Sequence, residues 1–276
     1  MRYVGPGTDD GIGPPRRRAS ARAERARVSR GRASTVVATL SACCACAAAT
    51  SAVAQTETNA SMRPSLLPDR LGASSALTLA FRFAGGAEGV PAPLRGMVVH
   101  LPAGLTVSLR GVKTCAKSRL QRRGPSGCPA GSLVGRGQAL MKVHAGSQAV
   151  PEEAAISIFR SPSGSGRPTF EIYGHGETPL DQSSISTAVL QPDAAPYGLK
   201  VSVSVPPIPT LVLEPDASVV SLSVTVGGTG RTPRAHAAAG SIRVPRSCPA
   251  EGFPFAADFT FADGSTASTS ATVACP

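Results

Sequence analysis

The segment Tyr173-Gly174-His175-Gly176-Glu177, followed by Asp181, Ser183 and Ser184, gathers the residue types of nucleophilic catalysis in one short stretch. An imidazole oriented by a carboxylate can take the proton of a hydroxyl that then attacks an acyl carbon. No surrounding motif supports that chemistry, because the chain has no Gly-x-Ser-x-Gly elbow, phosphate loop or His-Glu-x-x-His pattern. The segment therefore reads as a polar turn after a strand at 169–173. Glu152 and Glu153 are adjacent, so their side chains point apart, and both are expected to sit in water after Pro151. Glu171 alternates with Phe170 and Ile172 and is expected to face solvent. No residue is assigned a catalytic, cofactor-binding or metal-binding role, and the expectation is a protein that is not an enzyme and needs no cofactor.

Seven cysteines divide into two groups. Cys43, Cys44 and Cys46 fall in an apolar stretch near the start, which leaves Cys115, Cys128, Cys248 and Cys275. Four cysteines in an oxidising compartment allow three connectivities, and we expect the two sequence-local pairs, Cys115–Cys128 and Cys248–Cys275. A zinc site is disfavoured, since these four contain no Cys-x-x-Cys pair and the histidines are scattered at 100, 144, 175 and 236.

One surface feature is basic. Arg110, Lys113, Lys117, Arg119, Arg122 and Arg123 occur without an intervening acid. A cluster of this kind suits an anionic ligand, such as a cell-envelope polymer or a lipid head group. The bland alternative is a solvated helix face. Nucleic acid is not expected, because the segment has no aromatic residue on which a base could stack. Carbohydrate recognition is disfavoured too: the chain has no Trp and only Tyr3, Tyr173 and Tyr197.

The elements that must carry these residues begin with an export segment. Residues 1–32 hold nine Arg, and residues 33–55 are uncharged and rich in Ala, Ser, Thr and Val, ending in Ser51-Ala52-Val53-Ala54-Gln55. Basic, then apolar, then Ala-x-Ala is the layout of a secretory signal, with cleavage expected after about Ala54. Residues 1–27 lack an apolar period, and translation starting near Val28 would leave a normal signal. Leu40-Ser41-Ala42-Cys43 also has the form of a lipobox, so a lipid-anchored protein beginning at Cys43 is the alternative. The net charge of +11 falls to +5 for the mature part, with 19 Lys and Arg against 14 Asp and Glu, so high basicity is mostly a property of the export segment. No transmembrane span is expected in the mature protein.

Residues 55–72 read as a linker with Pro64 and Pro68, and residues 73–276 as one domain. Period-two runs recur at 76–83, 97–101, 105–109, 139–144, 155–159, 169–173, 185–190, 199–205 and 219–226. Gly and Pro clusters separate them. The expectation is an all-β fold, a single β-sandwich of immunoglobulin-like or jelly-roll-like kind, with one short helix at 114–123 capped by Thr114 and stopped by Gly124-Pro125. The last segment reads as a hairpin around a two-residue Asp263-Gly264 turn, with Cys275 opposite Gly252 and Cys248 close behind.

Leu101-Pro102-Ala103-Gly104-Leu105, Cys115 to Cys128-Pro129 and Val134-Gly135-Arg136-Gly137 resemble a family of secreted proteins from high-GC actinobacteria. Val205-Pro206-Pro207-Ile208, Cys248-Pro249, Phe253-Pro254-Phe255, Phe261-Ala262-Asp263-Gly264 and Cys275 extend the likeness over nearly all of the mature domain. The resemblance implies a secreted β-rich domain and assigns no activity. The functional expectation is a secreted, non-enzymatic envelope or extracellular protein that binds or builds. Its rivals are a secreted hydrolase assembled from distant loops and a lipid-anchored surface protein.

Overall fold

The computed structural model describes residues 58–86, 89–146, 148–164, 166–227 and 240–276. The export segment, the start near Val28 and the lipobox at Cys43 lie outside the described residues. The fold is all-β. Its strands are β1 (Asn59–Leu67), β2 (Ser74–Ala84), β3 (Leu94–Pro102), β4 (Thr106–Ser108), β5 (Leu133–Ala145), β6 (Gln148–Ser161) and β7 (Thr169–Gly176). They continue as β8 (Gln182–Pro192), β9 (Tyr197–Ser204), β10 (Ser218–Val226), β11 (Ser241–Arg243), β12 (Phe253–Phe261) and β13 (Thr266–Val273). One short helix, α1 (Lys117–Arg123), lies between β4 and β5.

All the long strands belong to one antiparallel sheet, ordered β13-β12-β3-β9-β8-β7-β6-β5-β10-β2, with β1 laddered to the other edge of β2. The sheet curls until β13 lies alongside β1 without laddering to it. Two facing halves of a single sheet thus make the sandwich-like domain. The short strands β4 and β11 form a flap attached to β2 at Ser74 and Ser75.

Period-two alternation decides which side chains face in. On β2 these are Leu77, Leu79, Phe81 and Phe83, and on β12 Phe253, Phe255, Ala257, Phe259 and Phe261, all buried. The two sets meet beneath the β1–β13 seam. Phe259 packs edge-on to Phe81 and Phe83, with ring centroids 5.6 and 4.8 Å apart, and Phe261 does the same to Phe83 at 6.1 Å. Edge-to-face pairs add to the gain from burial alone.

Two expectations about elements are corrected. The segment read as a linker at 55–72 contains β1, whose Ala60, Pro64 and Leu66 pair with Phe83, Leu79 and Leu77. Pro64 is tolerated because β1 is an edge strand. The helix starts at Lys117 rather than Thr114, after Ala116 in extended conformation and with no side-chain cap. Its stop is as read: Gly124 takes φ +60° and its N–H reaches Leu120 O.

The last hairpin also differs in detail. Phe261 N–H donates to Ser265 O and Gly264 N–H to Phe261 O, so the loop has three residues, Ala262-Asp263-Gly264, with Gly264 at φ +81°. This is a type I turn followed by a left-handed glycine. The register moves by one, and Phe253 pairs with Val273. Asp263 accepts hydrogen bonds from the Ser265 hydroxyl and N–H, which hold its carboxyl below the ordinary range. The cystines form as expected, Cys115–Cys128 and Cys248–Cys275, with Cα separations of 5.3 and 6.1 Å. The second ties the end of β13 to the chain leading into β12.

Phe259→Ala removes the ring shared by both Phe81 and Phe83. We expect a loss of about 3–5 kcal/mol in urea unfolding.

Candidate functional site

The interior is not filled evenly. The β12 side of the sheet brings phenyl rings inward, whereas β5–β8 mix larger residues such as Met141, Ile156, Phe170 and Ile172 with the small Ala139, Ala154, Gly174, Gly176, Ser184 and Ala188. Two adjoining cavities result. The larger, about 140 Å³, is lined almost wholly by hydrocarbon from β2, β3 and β5–β10, and the β4–β11 flap borders it through Val107, Leu109 and Ile242. An apolar space of roughly this size accepts a benzene-sized group. The smaller, about 90 Å³, lies towards the opposite end, beneath Leu180, Ile208 and Pro209. Met97, Ile172 and Val203 line both cavities and form the partition between them.

Glu152 lines the smaller cavity and is only 3% exposed. Among the described residues no group donates to its carboxylate, yet its oxygens are not sealed off: the fully buried side-chain polar atom left without a partner among those residues is Arg95 Nη1. Gly176, across the β6–β7 ladder, makes the space: a Cβ there would collide with the Glu152 carboxylate. Burial pushes the carboxyl above its ordinary value, against an opposing pull from His175. The expectation of a solvated Glu152 is thereby overturned. Alternation of the buried residues Ala154, Ile156 and Ile158, carried back along β6, sets Glu152 inward and leaves Glu153 exposed.

Glu171 is the other correction, because it too is buried at 3% exposure. It faces outward from β7, but α1 and the Cys115–Cys128 cystine cover that face, with Leu120 packed on Leu133 and Phe159. Here the carboxylate is satisfied. Ser161 Oγ donates to it at 3.2 Å and Thr187 Oγ1 at 2.9 Å, and Lys117 Nζ lies 3.9 Å away.

The segment read as a polar turn is strand as far as Gly176, and His175 pairs with Ser183 across the β7–β8 ladder. Its Nδ1 is 3.2 Å from Ser183 Oγ, which also bonds Tyr173 Oη at 2.6 Å. Asp181 and Glu177 lie 3.9 and 4.0 Å from Nε2, beyond hydrogen-bond reach, and both are well exposed. The set lies on the outer surface, with no acid holding the imidazole.

A polar cluster that sequence reasoning missed surrounds His100, on the outer face of β3. Its Nδ1 is 2.6 Å from Asp193 Oδ2 and its Nε2 3.1 Å from Asp258 Oδ2. Burial raises the Asp193 carboxyl, but hydrogen bonds from His100 and the Ala194 N–H, with the nearby charge of His100 and Lys200, more than offset it and leave it low. The three residues come from separate strands and loops, so only the β12-β3-β9 order brings them together.

Of the basic cluster, Arg110, Lys113, Arg119, Arg122 and Arg123 are exposed. Lys117 is turned inward to Thr187, 3.0 Å away, and serves the Glu171 network instead. Among the described residues no helix is long and apolar enough to cross a membrane. No group of His, Cys, Asp and Glu there has the makings of a metal site. No protein-family model, curated protein or solved structure matches the chain.

Because the folded state raises the Glu152 pKa, its stabilising effect is complete below the unfolded value near 4.5 and is lost as pH rises through the folded value. Glu152→Gln should therefore raise the Tm at neutral pH and leave it nearly unchanged below pH of about 4. Calorimetric scans of both proteins across that range check the sign.

Proposed function

We propose that this is an exported, non-catalytic binding protein that encloses an apolar small molecule, a hydrocarbon chain with one polar end, inside its curled sheet. The observation that carries the reading is the pair of adjoining apolar cavities with one unpartnered carboxyl group in the smaller. A well-packed domain of this kind fills its interior, since voids forfeit dispersion contacts and cost stability. That cost falls when a ligand fills the space, and a hydroxyl or amine on its polar end can hydrogen-bond the Glu152 carboxyl, which burial already raises above its ordinary value. The two cystines suit an oxidising compartment, and the export segment read at 33–54 agrees with them. The outward position of His175 and Ser183, with no acid bonded to the imidazole, supports the non-catalytic side of the reading.

The test is direct. Protein purified from the medium or envelope of an exporting host and extracted with organic solvent should release an apolar molecule in near-stoichiometric amount by mass spectrometry. Ala188→Leu, which adds bulk inside the larger cavity, should lower affinity for an uncharged fluorophore such as phenylnaphthylamine by about tenfold while leaving the Tm equal or higher. Equal probe affinity in both proteins would count against the cavity as the binding site.

The exposed basic residues support a second contact, with anionic envelope polymers. Exchanging Arg110, Lys113, Arg119, Arg122 and Arg123 for Gln should abolish salt-sensitive retention on cell-wall sacculi. Unchanged retention would leave those residues as a solvated surface.

A further inference from the structure

The loop between β9 and β10, residues 205–217, carries three consecutive exposed large apolar side chains; the others among the described residues, Leu67 and Leu71, lie at the β1–β2 turn. Leu211 is 47%, Val212 91% and Leu213 100% exposed. The loop is nonetheless tightly built. Pro206, Pro207, Pro209 and Pro215 restrict its backbone, Glu214 N–H closes a turn on Leu211 O, and Thr210 Oγ1 donates to Pro215 O at 2.7 Å. Ala217 N–H donates to Ile208 O, Gly146 N–H to Glu214 Oε1 at 3.1 Å, and Arg95 pairs with Asp216. The tip is therefore anchored on the β5–β6 turn and on β3. Within it Leu213 takes φ +71°, alone among the described non-glycine residues in the left-handed region. That conformation is costly for a residue with a Cβ, and no contact made by its side chain compensates for it.

The position of the loop points to what covers it. Ile208 and Pro209, just before the tip, line the smaller cavity. The chain also enters the sheet at this end, since Asn59 pairs with Ala84 at the close of β2. The exposed charges on the β7–β8 loop that borders the cavity are acids, Glu177 and Asp181, while Glu214 is half-buried on Gly146 N–H and Asp216 is paired with Arg95. The basic residues of α1 lie on the outer face of the sheet. An anionic surface is thus the wrong partner for the tip, and an electrically neutral one the right one.

We propose that Leu211, Val212 and Leu213 insert into the interface of a neutral lipid bilayer and set the mouth of the smaller cavity against it. Docking rests on the loop alone. Its use, passing an apolar ligand between bilayer and interior without exposure to water, rests on the function proposed above.

Flotation of the full chain with phosphatidylcholine vesicles tests the docking. The protein should float with the vesicles, and raising NaCl to about 0.5 M should leave the fraction bound unchanged, because apolar insertion is not screened. Leu211→Ser with Val212→Ser and Leu213→Gly should lower the partition coefficient by about tenfold or more. Leu213→Gly alone, which relieves the left-handed leucine, should keep or raise the Tm and still weaken partitioning, so a folding defect is separable from lost insertion. Equal flotation of the triple variant would overturn the proposal. So would binding only to phosphatidylglycerol vesicles that salt abolishes, which would place the contact on the basic residues. Loss of self-association in the triple variant with no change in flotation would make the loop an interface between copies, and would equally overturn it. Phenylnaphthylamine binding in the same variants separates the two readings: docking that fails while the probe still binds sinks this inference alone, and probe binding that fails while docking persists sinks the cavity reading alone.

Discussion

The phenyl cluster beneath the β1–β13 seam is the contact on which the rest of the molecule depends. The strands on either side of that seam are the first and last long strands of the described residues, and no ladder joins them. What holds them is Phe81 and Phe83 from one side packed edge-on to Phe259 and Phe261 from the other. Without it the sheet is an open, twisted ribbon with its apolar face in water. With it the ribbon encloses a core, and the Cys248–Cys275 bridge keeps the last strand from peeling away.

Concentrating bulk at the seam leaves the far wall thin. Ala139, Ala154, Gly174, Gly176, Ser184 and Ala188 interrupt the larger inward residues of β5–β8, and the cavities lie where they do. Two buried carboxylates sit on opposite faces of that wall and show what each face is for. Glu171, outside, is fully engaged by Ser161, Thr187 and Lys117 under the helix, and so belongs to the structure. Glu152, inside, has room made for it by Gly176 and receives no bond from the described residues. Its carboxyl, raised by burial and free of donors from the strands around it, is turned to the interior rather than to the structure's own network.

Much of this was legible in sequence because β-strands announce their inward face by alternation. The runs at 76–83 and 219–226, the helix stop at Gly124 and both cystine pairings needed only local pattern. Strand β1 escaped because Met62 and Leu66 are its only large inward residues and Pro64 argues against a strand; its identity comes from β2 beside it. The hairpin register slipped by one because Asp263-Gly264 fits both a two-residue turn and the end of a three-residue loop, and only the ladder decides. Glu152 was placed in water as one of two adjacent carboxylates after Pro151, and Glu171 because it alternates with the apolar Phe170 and Ile172. One of them obeys the inward parity of its strand, and the other is covered by a helix whose docking position no local pattern records. The cluster at His100 depends on strand order, which is not a property of any segment.

The seam also bears on what the interior can hold. A sheet closed by ladders all the way round has a circumference fixed by strand number and stagger, and a larger guest must break hydrogen bonds to enter. Here the hoop is clasped at one place by side-chain packing, so parting β1 from β13 cuts no ladder. What opposes a larger guest at that place is lost dispersion contact between phenyl rings, a quarter to a half of which is forfeited by a gap of about 0.5–1 Å.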